Sequence, residues 1–303
     1  MAARTKRPGS ARVDGSAELE AAYGWCKQYT KERAKNFYYG FAILPPEKRN
    51  AIYAAYAFSG HVDDIADELH DRAEQERQLA EARERLRQCY AGQRSGPLFT
   101  ALGGAVDRFN VPREYFEELV NGCEMDFTID RYATWDELHR YCYRVAGMVG
   151  MICVSIFGTK AAPYAKDAAL SMGVGLQIVN IMRDVREDAE RGRVYFPADE
   201  LAAHGLSADD ILACRYDARF AAMMRQQGQR AHRYFRRGQR LLPLLDLRSR
   251  MCVNVLQGIY QEILKRIEAR NYDVLSERIS LSGREKLTSI AALWGQAAMV
   301  RPA

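Results

Sequence analysis

The stretch Gly175-Leu-Gln-Ile-Val-Asn-Ile-Met-Arg-Asp-Val-Arg-Glu-Asp-Ala-Glu-Arg-Gly-Arg-Val-Tyr-Phe-Pro197 decides how this chain folds. Read as a helix, it sets Asn180, Asp184 and Asp188 at i, i+4 and i+8, one above another, with Gln177 a turn earlier. Leu176, Ile178, Val179, Ile181 and Met182 make much of the remaining surface apolar, so the helix is expected to be buried. A ladder of oxygen ligands in an apolar setting must have its charge neutralised. Mg²⁺ suits it, as a hard cation that takes one or two carboxylates together with phosphate oxygens and water. Arg191-Gly192-Arg193 then ends the helix on a glycine, with cations that can meet a phosphate or the helix dipole.

A second acidic run stands about 120 residues upstream, where the apolar segment 51–58 leads into Asp63, Asp64 and Asp67. Asp63 and Asp67 share a helical face, and like charges at that spacing cost roughly 0.2–0.5 kcal/mol even when exposed. One such run also reads as the start of a charged surface. Two runs, each preceded by apolar sequence, point instead to two helices facing each other across a cavity and clamping metal-bound diphosphate.

The rest of the chain keeps a helical period. Long helices are expected at 18–34, 48–70, 72–90, 98–109, 113–130, 134–157, 162–190, 217–242, 245–271 and 283–300. Shorter ones are expected at 37–44 and after Pro197 and Ser207, and Thr134 to Glu137 matches a capping box. Alternating Val/Ile runs are almost absent. The fold class is therefore all-α: a single-domain bundle of long helices around a central apolar cavity.

Composition narrows the function. The 303 residues are 48% hydrophobic and 27% charged, with no linker between residues 20 and 300, so one domain is expected over 17–300. Residues 1–16 read as a disordered basic tail rather than a signal peptide, and the apolar run 147–158 is too short to span a bilayer. Seven scattered cysteines without a C-x-x-C fit reduced thiols in a cytoplasm. The net charge of +5 is dispersed, which argues against nucleic acid. Its densest cluster, 230–240, reads as a solvated face or an anionic-lipid contact, and transient bilayer docking is expected there.

Several motifs occur in an order that resembles the squalene/phytoene synthase family, the head-to-head prenyl transferases. They are D-D-x-x-D at Asp63 to Asp67, Q-x-x-N-x-x-R-D-x-x-x-D at Gln177 to Asp188, G-R-x-Y-x-P at Gly192 to Pro197, and Y-C-Y-x-V-A-G-x-V-G at Tyr141 to Gly150. Similarity also covers 35–45 and 271–286, so it spans roughly residues 20–290. The resemblance implies a class I isoprenoid synthase-like fold. It implies that Asp63, Asp64, Asp67, Asn180, Asp184 and Asp188 hold two or three Mg²⁺ ions bridging two prenyl diphosphates. Lys35, Arg183 and Arg193 would add positive charge, with Gln177 and Tyr195 as hydrogen-bond partners. Tyr141 is a catalytic candidate, and Phe37, Phe41, Tyr53, Tyr56 and Tyr260 would line the isoprenoid pocket, where ring faces can stabilise a carbocation.

Two positions depart from that pattern. Ser59-Gly60 stand where the family usually has Cys-Arg, and Ala34 where it usually has Ser; Arg33 or His61 is the expected compensation. The bulk of Phe41 and Tyr53 favours two farnesyl diphosphates and a C30 product, presqualene diphosphate or squalene. Phytoene from two geranylgeranyl diphosphates is the alternative, and a non-catalytic assembly factor with the same fold is a third reading. No nicotinamide fingerprint is visible, so NADPH use stays open, as does the oligomeric state.

Overall fold

Apolar side chains at helical spacing need partners, and here they find one another along a bundle of helices. The computed structural model describes residues 11–33, 38–68, 71–159 and 162–300. The helices are α1 (Ala11–Arg33), α2 (Tyr38–Phe41), α3 (Pro46–Glu68), α4 (Arg72–Tyr90), α5 (Gly96–Phe109) and α6 (Arg113–Thr128). Next come α7 (Trp135–Cys142), a π-helical turn (Tyr143–Gly147) and α8 (Met148–Phe157). They are followed by α9 (Ala162–Arg183), α10 (Val185–Glu190), α11 (Ala198–Ala203) and α12 (Ala208–Leu212). Finally α13 (Ala218–Gly238), a 3₁₀ segment (Gln239–Leu244), α14 (Leu247–Ala269) and α15 (Gly283–Met299) close the chain. Among the described residues there is no strand, only an isolated bridge between Arg131 and Val194.

Helix α9 is the axis of the bundle. It packs against α7, the π turn, α8, α13, the 3₁₀ segment and α14, which accounts for its burying Val174, Ile178, Val179, Ile181 and Met182. Small residues let the α8–α9 neighbourhood close up: a Cβ at Gly173 would meet the Ala146 carbonyl oxygen at 2.2 Å, and one at Gly150 the Ala169 oxygen at 2.5 Å. Gly173→Ala is therefore expected to destabilise the fold by ~1–3 kcal/mol through overpacking, measurable by urea unfolding. Unchanged stability would mean that the two backbones separate freely.

Helix α3 carries the first acidic run. Pro46 fits its first turn, and Ala51, Ile52, Ala54, Phe58, Val62 and Ile65 are buried as it packs on α1, α5 and α6. Asp71 caps α4 by accepting from the Ala73 amide, and Thr134 caps α7 by accepting from the Glu137 amide, while the Glu137 carboxylate accepts from the Ala133 amide instead of closing the expected capping box.

Three expectations need revision. Helix α1 begins at Ala11, so the boundary expected at 16–17 falls inside a helix; residues 1–10 lie outside the described part. The single helix expected over 162–190 is interrupted at Asp184 (φ −100°, ψ 15°), although Asp184 still donates its amide to Asn180 and Asp188 its amide to Asp184, each at 2.9 Å. Counted through the π turn, Trp135–Phe157 is a 23-residue helix long and apolar enough to cross a bilayer, but half of its apolar window is buried inside the bundle.

Candidate active site

The two acidic runs meet. The ends of α3 and α9, together with α10 and the loop after it, enclose a polar cleft of about 580 Å³. Asp63 and Asp67 line it from α3, Gln177, Asn180 and Arg183 from α9, and Asp184, Glu187 and Asp188 from the break and α10. Arg191, Arg193 and Tyr195 enter from the following loop, Asp126 from α6 and Arg278 from the loop after α14.

Arginines bridge the facing acids. Arg191 Nη1 and Arg193 Nη1 reach the two Asp67 oxygens at 2.9 and 3.0 Å, tying α3 to the far wall. Arg183 forks onto Asp184 at 2.7 and 2.5 Å, while Arg278 contacts Asp184 and Glu187 at 3.1 Å each. The break at Asp184 explains the Arg183 geometry, since side chains one residue apart do not face each other on a continuous helix.

Beneath the cleft lies an apolar cavity of about 240 Å³, and Val145, Gln177 and Asn180 line both spaces. Its walls include Phe41, Ile52, Tyr56, Val149, Gly150, Met172, Gly173 and Tyr260, joining α2, α3, α8, α9 and α14. The π turn widens the backbone where Val145 faces both compartments, a placement typical of such turns. In the wall of the polar cleft, the Tyr195 hydroxyl donates to Asp126 Oδ1 at 2.8 Å and lies 3.5 Å from that of Tyr141. Tyr141 and Tyr195 stack with centroids 5.2 Å apart.

Electrostatics show what the cleft lacks. Asp63 opens onto the cleft while protein crowds it from behind; burial, then Asp67 and Asp126, push its carboxyl up to about 7. Burial, then Asp184, push Asp188 up to about 7 as well. Asp126, which is 6% exposed, rises to about 6 mainly through burial. The Asn180 side-chain oxygen is buried without a hydrogen-bond partner among the described residues. An orphaned oxygen beside crowded carboxylates suits a divalent cation. No three acidic, His or Cys side chains among the described residues converge into a closed cage, so a cation here needs phosphate and water oxygens too.

Most of the sequence candidates come together, and some do not. Asp63, Asp67, Tyr141, Gln177, Asn180, Arg183, Asp184, Asp188, Arg193 and Tyr195 share the cleft. Phe41, Tyr56 and Tyr260 line the cavity. Asp64 does not face the cleft: it pairs with Arg33 and accepts from Tyr29 at 2.9 Å, because adjacent helical residues point about 100° apart. Tyr53 is 1% exposed and stands behind Phe41, 6.2 Å from its ring, rather than on the cavity wall. Lys35, Phe37 and Ala34 lie outside the described residues.

At Gly60 an added Cβ would meet the Tyr29 hydroxyl at 2.6 Å. Tyr29 thus fills the space beside Gly60 while Arg33 pairs with Asp64, and neither Arg33 nor His61 lines the cleft. Asp126, Glu187 and Arg278 were missed from sequence. Only Asp126 left a signal, a lone acid between Met125 and Phe127 on an apolar face, where burial of an acid is rare.

The sequence model of the Squalene/phytoene synthase family matches residues 30–285. The chain belongs to the squalene/phytoene synthase family. Members of this family are prenyltransferases acting head to head on prenyl diphosphates. The chain is 39% identical over 292 residues to the phytoene synthase of Mycobacterium tuberculosis, covering 94% of this chain and 95% of that one. It is 35% identical over 289 residues to a chloroplastic phytoene synthase of an Oncidium hybrid cultivar, covering 94% and 70%. Among solved structures it resembles a squalene synthase from Alicyclobacillus acidocaldarius, with TM-score 0.79, 29% identity and coverage of 84% and 96%. A dehydrosqualene synthase in complex with ligand shares the squalene/phytoene synthase fold at TM-score 0.87 and 24% identity, covering 95% and 100%.

The raised carboxyls predict a pH effect on this synthase-family fold. Burial pushes the Asp188 carboxyl up to about 7 and the Asp126 carboxyl up to about 6 in the folded chain, against about 4 in the unfolded one, so the folded chain holds more protons between those limits. Stability of the metal-free protein should therefore fall as pH rises from about 4 to 7 and level off above. Acid unfolding driven by other groups sets the lower limit. A melting temperature that rises steadily across that window would show that the crowding is relieved some other way.

Proposed function

We propose that this chain joins two geranylgeranyl diphosphates head to head, through a cyclopropyl diphosphate, to give phytoene. The observation that carries the reading is the joint between compartments: a cleft of acids and arginines opens at Val145, Gln177 and Asn180 onto a cavity of apolar walls. An isoprenoid diphosphate has that same division of chemistry. The phytoene synthase names of the similar proteins support the C40 product over the C30 one favoured by side-chain bulk.

Arg191, Arg193, Arg183 and Arg278 gather positive charge around the departing diphosphate, and fixed charge of this kind lowers the ionisation barrier. When bound, Mg²⁺ held by Asp63, Asp67, Asn180, Asp184 and Asp188 would add Lewis-acid charge to the leaving group. The allylic cation is then attacked by the 2,3-alkene of the second substrate while apolar walls exclude quenching water. We assign to Tyr141 or a diphosphate oxygen the proton released as the cyclopropane closes; departure of the second diphosphate, rearrangement and loss of a second proton then give phytoene. Tyr195 and Asp126 hold the Tyr141 ring in place from behind.

Incubation with Mg²⁺ and labelled C15 or C20 diphosphate, with and without NADPH, tests this. A C40 hydrocarbon from C20 substrate, made without NADPH, is expected. Conversion of C15 alone would restore the C30 reading, which the bulk of Phe41 on the cavity wall favours. No condensation product from either would leave the assembly-factor reading.

A further inference from the structure

Arg230 opens the basic run 230–240 that reads in sequence as a solvated face, yet it is only 8% exposed. Its guanidinium carbon sits 3.9 Å from the centroid of the Trp135 ring, at the start of α7. Both Nη atoms reach Glu200 of α11, with Nη1 at 3.0 Å from Oε2. Gln227, one turn earlier on α13 and 2% exposed, accepts from Arg230 Nη1 at 2.5 Å and donates to the same Glu200 oxygen at 2.7 Å. Burial acts to raise the Glu200 carboxyl, but the hydrogen bonds from Arg230 and Gln227 outweigh it and hold the group below its ordinary value. Trp135, Glu200, Gln227 and Arg230 line neither the polar cleft nor the apolar cavity.

This cluster fastens the segment that carries Arg191, Arg193 and Tyr195 into the cleft. The segment is stitched to residues 130–133 along its length. The Val194 amide donates to the Asp130 carbonyl at 3.2 Å, that of Ala198 to Tyr132 at 2.9 Å and that of Asp199 to Ala133 at 3.2 Å. Arg131 Nη1 adds a bond to the Gly192 carbonyl at 2.7 Å. Residues 130–133 lead into α7, which carries Trp135 at its start and Tyr141 near its end. The Tyr132 ring stacks on Tyr195 with centroids 6.0 Å apart and lies 5.8 Å from the Tyr141 ring. Glu200 follows directly on Asp199, the last stitch. One guanidinium therefore touches α11, where the arginine-bearing segment ends, and α7, where the helix of Tyr141 begins.

We propose that Arg230, with Glu200 and Gln227, is a positioning residue: it holds α11 against α7 at one setting and so fixes where Arg193 and Tyr195 stand relative to Asp67 and Tyr141. Withdrawing two ions from water nearly cancels the attraction between them, so a buried pair contributes little net stability. Its directional fork contributes a defined geometry, which a lysine does not reproduce. Arg193 Nη1 meets Asp67 at 3.0 Å, and a misplacement of about 1 Å at such a contact costs on the order of 10²-fold in rate. The effect on rate rests on the condensation proposed above; the effect on the geometry of the segment does not.

The test combines Glu200→Met, Gln227→Leu and Arg230→Met in the full chain, so that no ion or amide of the cluster stays buried without its partner. The triple variant is expected to melt within a few degrees of the wild type. Its kcat on C20 diphosphate is expected to fall at least about tenfold while KM changes less than about threefold. Amide hydrogen exchange of the metal-free protein should quicken at Val194, Ala198 and Asp199 and stay unchanged in α5. Wild-type kcat in the folded variant, or unchanged exchange at those three amides, would overturn the proposal and leave the cluster a packing element. Arg230→Lys keeps the charge without the fork, and it decides by the same two readings if the triple variant does not fold. If the wild-type chain makes no hydrocarbon, the condensation reading fails, while the exchange result still decides the positioning.

Discussion

Asp184→Asn is expected to lower turnover by at least ~10³-fold, a loss of about 4 kcal/mol in transition-state stabilisation. Asp184 accepts from both Arg183 and Arg278 and stands where α9 breaks. Removing its charge withdraws a proposed metal ligand and the carboxylate on which Arg183 forks, while Arg278 keeps Glu187, so the effect exceeds that of an ordinary surface acid. Asp63→Asn should lose a similar factor. Asp64→Asn provides the contrast, because its carboxylate faces Tyr29 and Arg33 rather than the cleft. Steady-state kinetics on the three variants, with melting curves to establish folding, decide the point. Equal losses for Asp64 and Asp63 would contradict the assignment of faces on α3.

Asp126→Asn separates stability from activity. The buried carboxylate holds the Tyr195 hydroxyl at 2.8 Å, and Tyr195 in turn stacks on Tyr141. Hydrogen bonds to charged groups contribute about 1.5–3 kcal/mol, so loosening this set should cost ~10–100-fold in kcat. Burial already pushes the Asp126 carboxyl up to about 6, so a neutral amide of the same shape is accommodated without unfolding the chain. The expected result is a melting temperature at or above wild type near pH 8 together with the loss of rate. Full activity would reduce Asp126 to a packing residue.

The sequence revealed the fold class because helical periodicity is local: apolar spacing and capping residues mark each helix without knowledge of its neighbours. It also revealed both acid ladders, since i, i+4 spacing places side chains on one face whatever the tertiary contacts. Four features depended on distance in space and stayed hidden. The break at Asp184 carries no proline or glycine, and its fork with Arg183 becomes visible only in three dimensions. Asp64 shares its motif with Asp63 and Asp67, yet helix α1 captures it through Tyr29 and Arg33. Tyr53 matched a pocket position by resemblance, but Phe41 stands between it and the cavity, so its bulk acts on the wall indirectly. Arg278 lies 94 residues from the Asp184 it contacts, a separation that no local pattern reports.

The central claim is that α3 and the α9–α10 pair grip a diphosphate between them by way of divalent cations. Calorimetric titration with a non-ionisable thiodiphosphate analogue of geranylgeranyl diphosphate, with Mg²⁺ and with EDTA, tests it most directly. The account predicts binding that requires Mg²⁺ and that is weakened at least about tenfold by Asp63→Asn and by Asp184→Asn alike. Equal affinity in EDTA, or dependence on only one of the two acids, would contradict it.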